Sequence, residues 1–344
     1  MDKTTYTWTT FDTTKMDNII IITKLLNENY IEDKNNRYRA HYAPEFIYWY
    51  LNSAISLNVV IMDSSKLIGF ICGRKITMHL KNYDEECGEI NFLCIDKTIR
   101  NKKLCPMLIN EITKQFQKIN VYEAIYTGHH MYPNILTSIN YYIRPINIKY
   151  LIDIGYLTAS VNMGNDLTEL EHAYILPKLK TGNKTLIKLT HEHIAQCHIL
   201  YCKYMNNFDC YEIMSKEQLT KMLINDNIIS YVLIVGNVVL DFISYYIIKT
   251  LVLKHNKMMT DGYNYLYTNT SNHLHKMVLM LLHTLRENNI DTYNIPDIMN
   301  AEDDIYEELQ FTKEGNSDSP NFHYFLFKNN NLKINNKKLA KIIF

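Results

Sequence analysis

The chain has 344 residues, and its 36 lysines and arginines balance its 36 aspartates and glutamates. A net charge of zero argues against nucleic acid or an acidic membrane surface as a partner. With 47% apolar residues the chain can build two domains or one large one. No uncharged apolar run predicts a membrane-spanning helix, no signal peptide is recognisable, and seven scattered cysteines without a CxxC pair predict reduced thiols and a cytoplasmic protein.

In chain order, the first half predicts two helices, a hairpin, a strand, a third helix and a further strand. Asp17 is the expected cap of the first helix, and Pro44 opens the second. The runs NVVIMD and LIGFICG predict the hairpin. The strand from Ile90 to Ile95 follows, then a helix that begins near Pro106, and finally the strand VYEAIYT (Val121 to Thr127).

Much of that order recurs in the second half. A helix begins near Thr190, and another begins at Ser215 with the residues of a capping box. A hairpin, a strand, a helix and a strand follow again. This recurrence predicts an internal duplication with its break between Ser160 and Leu189. We therefore expect two domains, residues 1–165 and 166–344.

One stretch, EINFLCIDKTIRNKKLCP (Glu89 to Pro106), combines a strand, a basic loop and the start of a helix. Free backbone N–H groups and the positive end of the helix dipole face such a loop, and Arg100, Lys102 and Lys103 add charge. The pattern predicts an anion site with a diphosphate as its ligand. The alternative is that the charged run is a solvated face.

This stretch, extended as EINFLCIDKTIRNKKLCPMLINEI, resembles the signature block of the glycylpeptide N-myristoyltransferases. The segment LLNENYIEDKNNRYRAHYAPEFIYWYL (Leu25 to Leu51) is similar to the same family almost position by position. Tyr126 to Leu151 align with few or no gaps, and a weaker likeness continues to the last residue. The resemblance therefore covers nearly the whole chain.

The resemblance implies an α/β fold of two tandem GNAT-like (acyl-CoA N-acyltransferase) halves, with pseudo-twofold symmetry around a continuous saddle-shaped sheet. It also implies an enzyme that transfers a C14 acyl group from myristoyl-CoA to the α-amine of an N-terminal glycine by direct nucleophilic attack. Acyl-CoA is expected in the first half and the peptide in the second. We expect a monomer that binds no metal.

The resemblance assigns acyl-CoA to the strand and the basic loop. The implied residues are Phe92, Leu93, Cys94, Ile95, Arg100, Asn101, Lys102, Lys103, Leu104 and Cys105. The backbone N–H groups of Phe92 and Leu93 are the implied oxyanion hole. On pattern alone, both residues fit the core of a buried strand equally well.

The proton acceptor follows from the same resemblance. Family members use their own C-terminal carboxylate, so the role falls to Phe344, and Asn91 and Thr127 are further residues implied at the catalytic site. The apolar residues of the ending KKLAKIIF suit a terminus tucked into the protein, although terminal residues generally fray.

The residues implied to bind the acceptor peptide come from several parts of the sequence. The implied residues are Asp33, Tyr38, Tyr42, Tyr141, Ser244, Tyr263 and Asp297, with Tyr42, Asn91 and Thr127 around the glycine. Each of them alone also fits a structural role.

Three departures from the family bear on substrate choice. Lys34 and Asn35 interrupt an acidic triplet, Ile143 stands where the family has a histidine, and we expect no counterpart of the N-terminal arm that covers CoA in larger relatives. A relative that binds acyl-CoA or peptide with weak turnover is therefore the alternative function, as is an acyltransferase for another acyl length. HEHIAQCH (His191 to His198) has metal-ligand residue types without a zinc spacing.

Overall fold

The structure, a computed structural model, describes residues 6–30, 37–157, 167–301, 303–314, 322–329 and 331–344. The chain forms two compact units. The first unit comprises Met1–Ser138, Phe322–Ile334 and Ile343–Phe344, and the second comprises Ile139–Asn321 and Asn335–Ile342. The units therefore part at Ser138, earlier than the division at residue 165 expected from the sequence, and the last two residues return to the first unit.

Strands and helices are numbered in chain order. The strands are β1 (Thr7–Thr9), β2 (Tyr38–His41), β3 (Ser56–Asp63), β4 (Lys66–Leu80), β5 (Tyr83–Ile95), β6 (Glu123–Gly128), β7 (Ile135–Ile139), β8 (Tyr141–Pro145), β9 (Thr185–Lys188), β10 (Cys210–Glu212), β11 (Ile228–Val235), β12 (Val238–Val252), β13 (Lys257–Tyr267), β14 (Thr292–Pro296), β15 (Thr312–Lys313), β16 (Phe322–Phe327) and β17 (Leu339–Ala340). The helices are α1 (Met16–Asn29), α2 (Pro44–Asn52), α3 (Leu104–Lys118), α4 (Ile148–Asp153), α5 (Leu167–Ala173), α6 (Ile194–Met205), α7 (Lys216–Leu223), α8 (Leu274–Glu287) and α9 (Asp303–Glu308).

The first unit is built on a mixed sheet in the order β1-β3-β4-β5-β6-β16-β7. Within it β5 and β6 pair in parallel, and α3 makes the crossover between them. Their pairing runs from Cys87–Glu123 to Glu89–Ile125, although β5 continues to Ile95. Beyond Glu89, therefore, β5 has no register partner on β6 among the described residues.

The second unit has its own mixed sheet, in the order β15-β8-β14-β13-β12-β11-β9. Its strands β13 and β14 also pair in parallel, from Asp261–Thr292 to Tyr263–Asn294, and α8 makes this crossover. Helix, helix, hairpin, strand, helix and strand thus follow one another in both units. The repeated order and the α/β class predicted from the sequence are confirmed.

Most helix boundaries follow the local signals. Pro44 opens α2, and Ser215 caps α7 in a capping box with Gln218. The cap predicted at Asp17 is wrong, because α1 begins at Met16 and Asp17 lies in its first turn. A carboxylate in that turn still interacts favourably with the helix dipole.

Helix α3 begins at Leu104, two residues before Pro106. The preceding 3₁₀ turn, Lys97–Lys102, ends because Lys103 takes a left-handed conformation with a φ of 56°. Pro106 remains in the first turn of α3, where its missing N–H breaks no helical hydrogen bond.

The apolar face of α3 fixes it on the sheet of the first unit. Leu108, Ile112 and Phe116 are buried against β3 and β4, and each contributes roughly 1.5–3 kcal/mol by leaving water. Gly73 permits this close approach, because a Cβ there would stand 2.6 Å from the Phe116 ring. The start of α3 is thereby held beside the end of β5.

In the second unit, a buried carboxyl makes stability depend on pH. Asp261 on β13 accepts a hydrogen bond from the Thr292 hydroxyl at 2.6 Å, and its other oxygen has no partner among the described groups. Burial raises the pKa of Asp261 to about 7. The folded protein therefore keeps this proton up to nearly neutral pH.

We expect Asp261→Asn to change the pH dependence of stability. An unfolded aspartate titrates near ~3.9, so the contribution of the Asp261 proton is fully present below that pH and is lost as the pH rises through about 7. Between pH 5 and 8 the variant should gain roughly 2–3 kcal/mol relative to the parent. Urea unfolding at several pH values measures this, with the exposed Asp226→Asn as control; parallel curves for variant and parent would contradict it.

Candidate active site

A β-bulge on β5 shapes the backbone at Phe92 and Leu93. The register between β4 and β5 passes from Cys72–Asn91 to Phe70–Cys94, so two residues of β5 oppose one of β4. Phe92 has a φ of 54°, a left-handed conformation that costs a bulky residue roughly 1–2 kcal/mol. Such strain persists only where the surroundings enforce it.

Aromatic rings supply that enforcement. The Phe92 side chain is fully buried, and its ring centroid lies 5.3 Å from Tyr42, 5.2 Å from Tyr50 and 5.8 Å from Tyr30. Two of these contacts are edge-on, the geometry that aromatic pairs prefer. The packing of this ring therefore holds the bulge, and with it the direction of the neighbouring N–H groups.

Asn91 links the bulge to the end of the chain. Its side-chain oxygen accepts a hydrogen bond from the Phe92 N–H at 2.8 Å and a longer one of 3.4 Å from the Tyr30 hydroxyl. Its side-chain nitrogen donates to an oxygen of the Phe344 carboxylate. Through this one amide, a backbone N–H of the bulge and the terminal carboxylate are held within one hydrogen-bonded group.

The terminus is tucked in, as the apolar ending predicted. Ile342 and Ile343 are buried, and the Phe344 ring lies among the side chains of Phe46, Trp49 and Tyr50 at centroid distances of 5.4–5.8 Å. In the second unit, the buried Lys341 forms an ion pair of 2.5 Å with Glu212. The last four residues are therefore held by buried side chains, ring contacts and an ion pair.

Tyr42 and Thr127 lie in the first unit with Asn91. Asn27 fixes the Tyr42 backbone by accepting from its N–H at 2.8 Å and donating to its carbonyl at 3.1 Å. Burial raises the pKa of the Tyr42 hydroxyl well above its usual value, so it stays protonated. Thr127 is half-buried on β6, two residues past the last β5–β6 pair.

The beginning of the basic loop is anchored. Asp96 accepts hydrogen bonds from the Thr98 N–H at 3.0 Å and from Lys66 at 2.6 Å. Burial opposes ionisation of Asp96, but these hydrogen bonds outweigh it and lower its pKa to about 2. Arg100, predicted to add charge to an anion site, donates instead to the backbone carbonyls of Ile95 and Asn29.

The end of the loop is open. Asn101, Lys102 and Lys103 are exposed, and within the described part of the chain their side chains have no hydrogen-bond or ion-pair partner. None of the described side chains caps the start of α3, so its first N–H groups face this open loop. Leu104 is buried and Cys105 is half-buried at the same helix start. The cations and the helix end together favour an anion.

The two other residues predicted for acyl-CoA are buried. Cys94 and Ile95 are each 3% exposed. Burial raises the pKa of the Cys94 thiol to about 12 and also raises that of Cys105, so both thiols stay protonated at neutral pH. A cysteine nucleophile is therefore a poor explanation of this region.

The residues predicted for the peptide groove fall mostly in the second unit. Asp297 accepts from the backbone N–H and the side-chain amide of Asn140, both at 2.8 Å. Ser244 is fully buried, and its hydroxyl donates to the Leu266 carbonyl and accepts from the Leu266 N–H. It bridges β12 and β13 at a register irregularity and exposes no surface.

Tyrosines line the neighbouring strands of this unit. The Tyr263 ring stacks on Tyr246 at 5.4 Å and meets Tyr141 edge-on at 6.2 Å. In the first unit, the Arg37 guanidinium lies 5.1 Å from the ring centroid of Tyr38 on β2. Asp33, with Lys34 and Asn35, lies outside the described residues.

Two histidines of the segment His191 to His198 make hydrogen bonds within the fold. His193 closes a capping box with Thr190, and His198 is hydrogen-bonded to the Met214 carbonyl. Within the described ranges, no group of three His, Cys, Asp or Glu side chains comes together in a way that could hold a metal ion. Among these described residues, no helix has the length and apolarity that a bilayer crossing requires.

Sequence reasoning missed Tyr50, Trp49 and Arg74, which surround the Phe344 ring. One signal was available, because Phe46, Trp49 and Tyr50 stand at positions i, i+3 and i+4 of a helix and so share one face. A second was the arginine in the apolar run LIGFICGRK, since a buried cation needs a partner.

Comparison with known proteins supports the family resemblance independently of the site geometry. The protein-family model described as "Myristoyl-CoA:protein N-myristoyltransferase, N-terminal domain" matches residues 3–139 of the sequence. The family model for the corresponding C-terminal domain matches residues 153–341. A glycylpeptide N-tetradecanoyltransferase of Plasmodium falciparum is 29% identical over 339 residues, which cover 94% of this chain and 79% of the relative. That of Saccharomyces cerevisiae is 30% identical over 276 residues, covering 76% and 60%.

A solved structure agrees with the sequence matches. Saccharomyces cerevisiae N-myristoyltransferase with bound myristoyl-CoA superposes with a TM-score of 0.86 at 25% identity, over 99% of this chain and 86% of that one. The match confirms the predicted α/β fold, but the expected continuous sheet is wrong, because the described strands form two sheets. Since family models match both parts of the sequence and together span most of it, the chain belongs to the myristoyl-CoA:protein N-myristoyltransferase family.

Proposed function

We propose that the chain transfers a myristoyl group from myristoyl-CoA to the α-amine of an N-terminal glycine, with the Phe344 carboxylate as the base. The observation that carries the proposal is the hydrogen bond from Asn91 to that carboxylate, beside the N–H of Phe92. Membership of the family supports the acyl donor, and the relatives' name, glycylpeptide N-tetradecanoyltransferase, supports the acceptor.

The diphosphate of the donor binds at the start of α3. Lys102 and Lys103 supply charge, and the uncapped N–H groups of the helix supply hydrogen bonds. Arg100 contributes by holding the loop to α1, because its guanidinium is already bound to two carbonyls. Cys94 and Ile95 are buried at the end of β5, from which the loop leads to this site.

The thioester carbonyl is polarised by the bulge. As the amine attacks, negative charge develops on the carbonyl oxygen, and backbone N–H groups of the bulge stabilise that charge. The Phe92 N–H now donates to the neutral oxygen of Asn91. A charged oxygen is the stronger acceptor by roughly a factor of two, so the developing oxyanion competes successfully for this donor, together with Leu93.

The Phe344 carboxylate holds the glycine amine and removes its proton. A free α-amine titrates near ~7.7–8.0, so roughly a tenth of it is neutral at pH 7 and the demand on the base is small. The amine nitrogen forms the new C–N bond, the C–S bond breaks, and CoA leaves as its thiol or thiolate. The nitrogen loses its proton to the carboxylate, whose orientation Asn91 fixes.

An assay of CoA release tests the proposed function directly. We expect turnover with myristoyl-CoA and a glycine-ended octapeptide, and none with the N-acetylated peptide because its nitrogen cannot attack. Acetyl-CoA should react much more slowly than myristoyl-CoA. Binding of both substrates without release of CoA would instead support a binding protein, and a preference for acetyl-CoA would support a short-chain acyltransferase.

Adding one glycine after Phe344 should abolish the base and leave the fold intact. The new carboxylate is displaced by one residue, roughly 3.3–3.6 Å of chain, and an amide takes its place beside Asn91. We expect kcat to fall at least 100-fold, with myristoyl-CoA affinity by calorimetry within twofold of the parent. A glycine added before Met1 is the control. Full activity of the C-terminally extended protein would remove the carboxylate from the mechanism.

Charge reversal at the loop tests the donor site. Lys103→Glu should raise the KM for myristoyl-CoA at least tenfold, about 1.4 kcal/mol, because a carboxylate replaces a cation beside the diphosphate. Lys118→Glu, an exposed lysine in the last turn of the same helix, is the matched control and should leave the KM unchanged. Equal KM values for the Lys103 variant and the parent would exclude Lys103 from the site.

A further inference from the structure

Phe344 is half-buried, and its ring contacts four side chains of the first unit, Phe46, Trp49, Tyr50 and Arg74, which we call the terminal clasp. We propose that the terminal clasp fixes the Phe344 carboxylate at Asn91 by immobilising the ring, and that Arg74 and Tyr50 are positioning residues for the reaction. This inference rests on the proposed function, because it concerns the same carboxylate.

The aromatic part of the clasp comes from one face of α2. Phe46, Trp49 and Tyr50 meet the Phe344 ring at centroid distances of 5.7, 5.4 and 5.8 Å, with interplanar angles of 77°, 84° and 80°. All three contacts are edge-on, the favoured geometry for aromatic pairs. A ring approached in this way from one helix face has little freedom to rotate or slide.

The polar part of the clasp is a buried ion pair. Arg74 and Glu89 are 1% and 0% exposed, and Arg74 donates to both carboxylate oxygens of Glu89 at 2.8–3.1 Å. A third Arg74 N–H donates to the Ser53 hydroxyl at 2.8 Å. The guanidinium plane is thereby fixed, with its carbon 4.4 Å from the Tyr50 ring centroid and 5.9 Å from that of Phe344.

Tyr50 joins the two parts. Its ring belongs to the aromatic face, and its hydroxyl donates to Glu89 at 2.8 Å, on the same oxygen that Arg74 binds. A buried charge pair is costly unless such hydrogen bonds satisfy it. The network of Arg74, Glu89 and Tyr50 is therefore a rigid support rather than a surface salt bridge.

The geometry of β5 links this support to the catalytic group. Glu89 and Asn91 are two residues apart on the strand, so both side chains project from the same face, roughly 7 Å apart along the chain. Glu89 anchors the ring of Phe344 through Arg74 and Tyr50, and Asn91 binds its carboxylate. One strand face thus holds both ends of the terminal residue. A misplacement of about 1 Å at such a group can lower turnover by roughly 100-fold.

The first test removes the ring and keeps the carboxylate. Phe344→Ala should lower kcat at least tenfold, with the KM values for myristoyl-CoA and the octapeptide within threefold and the melting temperature within a few degrees of the parent. Phe327→Ala, which removes a partly exposed phenylalanine of the same unit, is the matched control and should leave kcat unchanged. An unchanged kcat for Phe344→Ala would overturn the proposal.

The second test asks whether Arg74 acts through the ring. The double variant Arg74→Met/Glu89→Gln removes both buried charges together and so avoids an unpaired one. The kcat of this double variant should fall by a factor similar to that of Phe344→Ala. Combined with Phe344→Ala, it should cause no further loss, because residues that act through one contact are not additive. Tyr50→Phe, which keeps the ring, should lose less than Tyr50→Leu. A merely structural role predicts additive losses, and that result would overturn the assignment of Arg74.

A readout independent of activity separates the two proposals. The chain has two tryptophans, so in a Trp8→Phe background the fluorescence reports Trp49 alone. Loss of the Phe344 ring should shift the Trp49 emission to the red, because the half-buried indole gains contact with water. An unshifted emission would overturn the clasp even if the enzyme is active. Full activity of the C-terminally extended protein would overturn the carboxylate mechanism, and with it the role of the clasp in positioning that carboxylate.

Discussion

The arrangement of the first unit depends on the hydrogen bonds of a single side-chain amide. Asn91 accepts from the Phe92 N–H and donates to the Phe344 carboxylate, so the strained backbone and the end of the chain define each other's position. Neither partner would hold its place alone. A left-handed phenylalanine is unfavourable and a chain end tends to fray, and the surrounding aromatic rings offset both tendencies.

The duplicated architecture shows what distinguishes the first unit. Both units have a parallel strand pair joined by a long helix, α3 in the first and α8 in the second. Before α3 the loop ends in exposed lysines. Before α8, by contrast, the turn is tied to a buried carboxylate, since Asp241 accepts from the N–H groups of Thr270 and Ser271 at 2.7 and 3.1 Å. The start of α3 is open to an anion, whereas the turn before α8 already binds the protein's own acid.

Local sequence patterns predicted much of the fold and of the candidate site. They missed the features that depend on how neighbouring strands align. The strand, basic loop and helix around Lys103 and the tucked Phe344 follow from periodicity, charge and apolarity in the sequence. The bulge does not, because a buried phenylalanine such as Phe92 rarely adopts a positive φ and nothing in the sequence marks it. The pair Arg74–Glu89 depends on how β4 aligns with β5. The hydrogen bond from Arg100 to the Asn29 carbonyl likewise depends on how the loop packs against α1, which local sequence patterns do not show.

The central claim is that the Phe344 carboxylate meets the glycine amine. Carbon-13 NMR of protein labelled at the phenylalanine carbonyl carbons measures this directly, because extending the chain converts the Phe344 carboxylate into an amide and so identifies its signal. With a non-hydrolysable myristoyl-CoA analogue bound, adding a glycine-ended peptide should shift that signal, whereas the N-acetylated peptide should leave it in place. Identical spectra with both peptides would contradict the account.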